Sequence, residues 1–141
     1  MNTNKAKAQW TGTLKEGKGT MQFTGYEGPY TFASRFENGA ETNPEELVGA
    51  AIAGCFSMFI SALISEEKLS PESIDTKATV ILDGDDIGPK ISSIALDTTV
   101  KCTDLTSEKF EEIIEISKAK CPISRLYTGG SAEIEVKAEL L

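Results

Sequence analysis

Apolar and polar positions alternate in short runs through the first forty residues: 8–14, around Ala8, Trp10 and Leu14; 19–23, around Met21 and Phe23; and 30–36, around Tyr30, Phe32 and Phe36. Turn residues at Glu16-Gly17 and over 25–28 part these runs. A period of two broken by glycine predicts a small antiparallel meander, with Arg35 on its last strand. The pattern then changes. Residues 47–64 carry no charge, and they follow Asn43-Pro44-Glu45-Glu46. Asn43 suits a cap, Pro44 the first helical position, and Glu46 the third, where it closes a capping box. A long central helix therefore starts there. It is expected to end over 68–71, because Pro71 lacks an amide proton and disfavours helix at Ser70.

Alternation returns over 74–82, with Ile74, Thr76, Ala78, Val80 and Leu82 on one face, and again from Lys90, with Leu96, Thr98, Val100 and Cys102 in phase. Asp83-Gly84-Asp85-Asp86 reads as the turn of a hairpin between the two strands. A second helix is predicted from Thr106 or Ser107 to about Lys118, with Phe110, Ile113 and Ile114 on one face, glutamates early and lysines late. A last strand over 131–140 sets Ala132, Ile134, Val136, Ala138 and Leu140 against charged neighbours. The order is strands, long helix, two strands, helix, strand, which makes an α+β fold in a single domain over 1–141. One sheet of so small a chain does not cover a helix that is apolar on nearly all sides. The pattern thus predicts a helix buried all round, inside a homodimer that shares it.

Composition narrows the function. Fourteen basic against 22 acidic residues give a net charge of −8, which repels nucleic acid and anionic membranes. The run 47–64 reaches the length of a membrane span, but glutamates bracket it where basic or aromatic anchors belong, so a buried helix is the expectation. Three cysteines do not make the even set of a secreted disulfide scaffold, and residues 1–5 show no signal-peptide pattern. A reducing cytoplasm is the expected setting.

Chemistry concentrates on sulfur, since the chain has no histidine. Cys55 lies about three turns into the central helix, beyond the reach of the N-terminal dipole, where burial raises its pKa. It needs a cation to react. Arg35 is the candidate, a fixed charge with a planar fork that faces a sulfur and an oxygen together. Cys121, in Lys120-Cys121-Pro122-Ile123-Ser124, sits at the cap of a short helical turn begun by Pro122, where amide protons favour thiolate and make it a leaving group or resolving thiol. Cys102 continues the inward phase of its strand and reads as core. Glu45 invites pairing with Arg35, yet ten helical residues place it about 15 Å along the axis from Cys55. It acts through the reach of Arg35 or from a neighbouring subunit. Taken alone, it is also an ordinary first-turn glutamate.

The stretches Ser34-Arg35-Phe36-Glu37, Thr42-Asn43-Pro44-Glu45-Glu46-Leu47-Val48-Gly49-Ala50-Ala51, Ala53-Gly54-Cys55-Phe56-Ser57-Met58 and Cys121-Pro122-Ile123-Ser124 closely resemble the osmotically inducible protein C (OsmC) family, sister to the organic hydroperoxide resistance (Ohr) proteins. Trp10-Thr11-Gly12 and residues 15–19 extend the likeness over nearly the whole chain. The resemblance implies an OsmC-like fold and a cofactor-free peroxidase working through two cysteines. It implies an intertwined homodimer with active sites at the subunit interface. By position, Cys55 would be the peroxidatic thiolate, Cys121 the resolving thiol, and Arg35 and Glu45 the activating groups. An arginine in Ser34-Arg35-Phe36 follows the OsmC branch, because Ohr proteins place theirs in an earlier loop. Ile52 departs from the pattern, standing where many OsmC proteins carry histidine.

The implied cycle takes an organic hydroperoxide to its alcohol, and a small dithiol or lipoyl group reopens the resulting disulfide. Two rivals differ in class. Zinc ligation by scattered cysteines without histidine or a Cys-x-x-Cys pair has poor spacing. A non-enzymatic dimer would bind an apolar ligand between its central helices and would not need Cys55.

Overall fold

Period-two alternation builds three N-terminal strands, β1 (Lys7–Thr11), β2 (Lys18–Phe23) and β3 (Tyr26–Thr31), joined in order as an antiparallel meander. A computed structural model describes residues 1–141, in two compact units, Met1–Leu47 and Val48–Leu141. In the first unit the β2–β3 hairpin closes on Thr24-Gly25 alone, with Phe23 opposite Tyr26 and Gly25 at φ 75°. Two-residue hairpins demand left-handed backbone, which glycine adopts without a Cβ clash. The turn expected over 25–28 is therefore shorter, and Tyr26 to Gly28 belong to the strand.

The strand expected over 30–36 is also corrected. β3 stops at Thr31, and Phe32–Phe36 form a helical turn, α1, that carries Arg35. Thr31 Oγ1 accepts from the Ser34 amide at 3.1 Å while the Thr31 amide donates to Ser34 Oγ at 2.9 Å, a reciprocal capping box. Phe32 and Phe36, four apart, then stack their rings 5.0 Å between centroids. Two satisfied amides and an aromatic pair outweigh an alternation only seven residues long.

The central helix α2 spans Pro44–Glu66. Asn43 Oδ1 accepts from the Glu46 amide at 2.8 Å, as its sequence predicts. Its end comes from a different device than Pro71. Lys68 adopts φ 59°, its amide donates to Ser65 O, and the Leu69 amide donates to Ile64 O. This is a Schellman motif with lysine in the position glycine usually takes.

In the second unit β4 (Ser73–Asp85) and β5 (Gly88–Lys101) pair as a hairpin longer than predicted, because Asp83 to Asp85 continue the ladder and the turn is Asp86-Ile87. Helix α3 (Ser107–Lys120), capped by Thr106 Oγ1, leads into a short helix α4 (Pro122–Tyr127). Strand β6 (Glu133–Leu140) then lies parallel to β5, Ile134 beside Ile94 and Leu140 beside Val100. The second sheet is thus mixed, antiparallel between β4 and β5 and parallel between β5 and β6. A chain that returns through two helices arrives pointing the way it left.

Ile52, Phe56, Ile60 and Ile64, spaced by four along α2, are fully buried with Ile94, Leu96 and Val100 of β5, beside buried Phe110 and Ile113 of α3. At Gly49 an added Cβ would stand 3.2 Å from Val80 Cγ2, so glycine lets α2 lie close on β4. One polar thread crosses this core: Ser57 Oγ donates to Thr76 Oγ1 at 2.8 Å, and Thr76 Oγ1 meets Thr98 Oγ1 at 3.0 Å. Each hydroxyl is thereby satisfied without water. The helix is not buried all round within one chain, since only 28% of its apolar window is covered. Ala50, Gly54, Met58 and Ala62 form an exposed strip on it, with Met58 77% exposed.

Candidate active site

Cys121 stands at a break between two helices, and the residue after it makes the break. Proline disfavours helical backbone in its predecessor. Cys121 accordingly takes φ −53° and ψ 127°, ending α3 as its C-cap and opening α4 as its N-cap. Its backbone remains tied on both sides, N to Ser117 O at 3.0 Å and O to the Arg125 amide at 2.9 Å. The kink turns its sulfur over the first amides of α4 and toward α2. There it meets Cys55. The two Sγ atoms share a hydrogen bond at 2.8 Å, although 66 positions separate the residues in sequence. Both thiols are free, Cys121 fully buried and Cys55 partly so. A disulfide needs about 2.05 Å, less than roughly an ångström of further approach.

The two sulfurs are tuned in opposite directions. Burial pushes the Cys55 thiol up, the hydrogen bond and charge of Cys121 push it further, and the Ile123 amide only partly offsets them. Burial also acts upward on Cys121. It is outweighed there by the hydrogen bond from Cys55, the amide and hydroxyl of Ser124 and the amide of Ile123, so the Cys121 pKa is lowered. The two thiols thus lean in opposite directions, Cys121 toward the thiolate and Cys55 toward the neutral thiol. A cation near Cys55 would oppose that lean.

Arg35 and Glu45 come together in the first unit. Arg35 Nη2 donates to Glu45 Oε1 at 2.8 Å, and Nε donates to Oε1 at 3.1 Å and Oε2 at 3.3 Å. Glu45 is 8% exposed, so a well-formed fork replaces the water it gives up. The Arg35 side chain keeps 38% exposure and lies 5.3 Å over the Phe36 ring. Buried Ser34 fixes this geometry: its hydroxyl donates to Thr42 O at 2.8 Å and its carbonyl accepts from Asn43 Nδ2 at 3.1 Å. The turn that carries Arg35 is thus laced to the turn that begins α2. Gly39 completes the lacing, for its amide reaches Ala33 O at 2.9 Å and a Cβ there would stand 2.7 Å from Ser34 N.

Cys102 sits 6% exposed among core residues at the end of β5, its pKa raised by burial and then by the charges of Glu72 and Asp104. Ile52 is fully buried in the same core. No three acidic, cysteine or histidine side chains converge as a metal site. The residues that sequence reasoning passed over are two serines. Ser34 was legible as the third helical position after Thr31. Ser124 holds the same position after Cys121, where a side chain reaches back toward its cap.

The family model described as OsmC-like protein matches residues 37–137. Peroxiredoxin OsmC of Escherichia coli K12 is 42% identical over 139 residues, covering 96% of this chain and 95% of that protein. An organic hydroperoxide resistance protein-like 2 of Staphylococcus epidermidis is 27% identical over 106 residues, 73% of this chain and 72% of its own. Among solved structures, an OsmC-like protein from Mycoplasma pneumoniae superposes with a TM-score of 0.79 at 14% identity, covering 99% of this chain and 98% of that one. That likeness concerns the fold alone: an α+β chain with two small sheets and a long central helix.

Proposed function

The chain belongs to the OsmC-like protein family, and on that footing we propose that it is a cytoplasmic thiol-dependent peroxidase that reduces organic hydroperoxides to alcohols. Relatives named as a peroxiredoxin and as hydroperoxide resistance proteins support the peroxidase reading. The observation that carries it is the 2.8 Å contact between the Cys55 and Cys121 sulfurs. Two thiols so placed are one oxidation away from a disulfide.

In the proposed cycle the Cys55 thiolate attacks the distal oxygen of the hydroperoxide, the O–O bond breaks, and the alkoxide leaves, taking a proton from water to become the alcohol. Cys55 becomes a sulfenic acid. The Cys121 thiolate then attacks that sulfur and hydroxide departs, taking a proton from solvent to leave as water, and the disulfide remains. Lowering of the Cys121 pKa favours the nucleophile that this second step requires. The first step needs the opposite bias. Arg35, held by Glu45, supplies the cation that makes Cys55 a thiolate and stabilises the departing oxygen. The protein acts as one domain and as an intertwined homodimer with the site at its interface. The exposed strip of Ala50, Gly54, Met58 and Ala62 supports that assembly, because small residues let two helices approach closely. A small dithiol or lipoyl group returns the disulfide to thiols.

The test is turnover of an alkyl hydroperoxide with excess dithiol. Wild type cycles and Cys55→Ser shows no turnover, while Cys121→Ser given hydroperoxide before any dithiol is added consumes one equivalent and holds a sulfenic acid detectable by a dimedone-type reagent. Unchanged behaviour of Cys55→Ser would sink the peroxidase and leave a dimer that binds an apolar ligand between its central helices.

A further inference from the structure

Two hydroxyls in the core, Ser117 Oγ and Ser124 Oγ, are buried without a well-formed hydrogen bond. Both flank Cys121, one four residues before it on α3 and the other three residues after it on α4. A buried hydroxyl with nothing to bond costs stability, so each asks for a reason. For Ser124 the capping geometry supplies one. Its position after a cap is where a side chain ordinarily bonds back to the cap amide. Here that amide is already engaged, because Cys121 N donates to Ser117 O at 3.0 Å. The Ser124 hydroxyl, 1% exposed, is left three positions after the cap without its ordinary partner, close enough to the Cys121 sulfur to help lower its pKa.

We propose that Ser124 is a positioning residue for Cys121: its buried O–H is held in reserve for the moment that sulfur carries full negative charge. This rests on the two-cysteine reading above and extends it to the reductive half of the cycle. Cys121 is fully buried, whereas Cys55 keeps some exposure, so an entering dithiol reaches Cys55 first. Its thiolate attacks Cys55 Sγ, a mixed disulfide forms there, and the electron pair of the broken S–S bond passes to Cys121. Cys121 departs as a thiolate bonded by Ser124 Oγ–H and the Ile123 and Ser124 amides. The second thiol of the dithiol, losing its proton, then attacks the mixed disulfide, releases Cys55 and closes the oxidised cyclic product. Leaving-group quality governs such exchanges, and the hydroxyl improves it. Ser124 keeps its own proton throughout.

The lowered pKa of Cys121, to which the Ser124 hydroxyl contributes, agrees with this role. Ser117 gives the contrast, a hydroxyl of equal burial that makes no such contribution.

The experiment titrates the thiolate absorbance of reduced Cys55→Ser, which requires no peroxide, in backgrounds of Ser124→Ala, Ser124→Thr and Ser117→Ala. Ser124→Ala is expected to move the Cys121 midpoint upward and, in the chain with both cysteines, to slow dithiol reduction of the preformed disulfide roughly tenfold, as befits a hydrogen bond to a charged atom. Ser124→Thr restores both, Ser117→Ala changes neither, and melting of the reduced Ser124→Ala protein is unchanged or higher. An unmoved midpoint, or equal shifts with Ser124→Ala and Ser117→Ala, overturns the proposal. Loss of hydroperoxide turnover in wild type would overturn the peroxidase reading while leaving the midpoint result standing.

Discussion

Arg35 carries more than a charge, because three hydrogen bonds from Nε and Nη2 set its plane against Glu45. Lysine has the charge without the fork. In the proposed mechanism, Arg35→Ala loses roughly a hundredfold in turnover, the scale of a removed oxyanion donor, and Arg35→Lys recovers little of it. Steady-state rates at saturating dithiol decide this. The third cysteine gives a prediction on pH. Cys102 has its pKa raised by burial, so the fold prefers the neutral thiol. Its stabilising contribution is complete below the unfolded thiol pKa and is lost as pH rises through the higher folded value. Urea midpoints should therefore fall in alkaline solution for wild type, and the fall should be smaller in Cys102→Ala. The sequence already held the identities of these residues and the need of Cys55 for a cation. It also held the direction of each sulfur pKa, up for Cys55 buried in its helix and down for Cys121 at a cap. It did not hold the 2.8 Å contact between them, which depends on how the Cys121 kink aims its sulfur, and aim is a property of the folded backbone.

Elements were legible where one signal was strong and unopposed. Asn43-Pro44 placed the start of α2 and the Glu-to-Lys gradient placed α3, since caps and dipoles act within a turn. Residues 30–36 misled because a seven-residue alternation competed with a Thr31-x-x-Ser34 cap, and local hydrogen bonds won. The end of α2 was found in roughly the right place for the wrong reason. Lysine at φ 59° gives no sequence signature, and Pro71 drew the eye. Left-handed backbone costs a residue with a Cβ about 1 kcal/mol. Lys68→Gly should relieve it, offset in part by the looser unfolded chain, for a net gain of up to about 1 kcal/mol in chemical denaturation. A loss would mean that the Lys68 side chain has a task of its own.

At the level of the molecule, composition and periodicity were enough for an α+β chain, but the parallel pairing of β6 with β5 lay beyond them. Alternation fixes which face of a strand is buried and is silent on direction. The proposed self-association draws on the apolar window of α2 that one chain leaves largely bare. Gly54 is the centre of the exposed strip, with open space beside its Cα. Gly54→Leu or Met58→Glu is expected to convert a dimer into monomer by sedimentation. Persistence of the dimer in both would place the interface elsewhere.

The Ser57-Thr76-Thr98 thread works as an indexing pin. Sliding the helix by a single turn would part Ser57 Oγ from Thr76 Oγ1 while Thr76 and Thr98 kept each other, so the bond favours one height of the helix over its sheet. Cys55, two residues before Ser57, inherits that height. The reach from one sulfur to the other is therefore set on the Cys55 side in part by a tether with no redox chemistry of its own, and in the proposed cycle loosening it would slow disulfide closure while leaving both thiols intact.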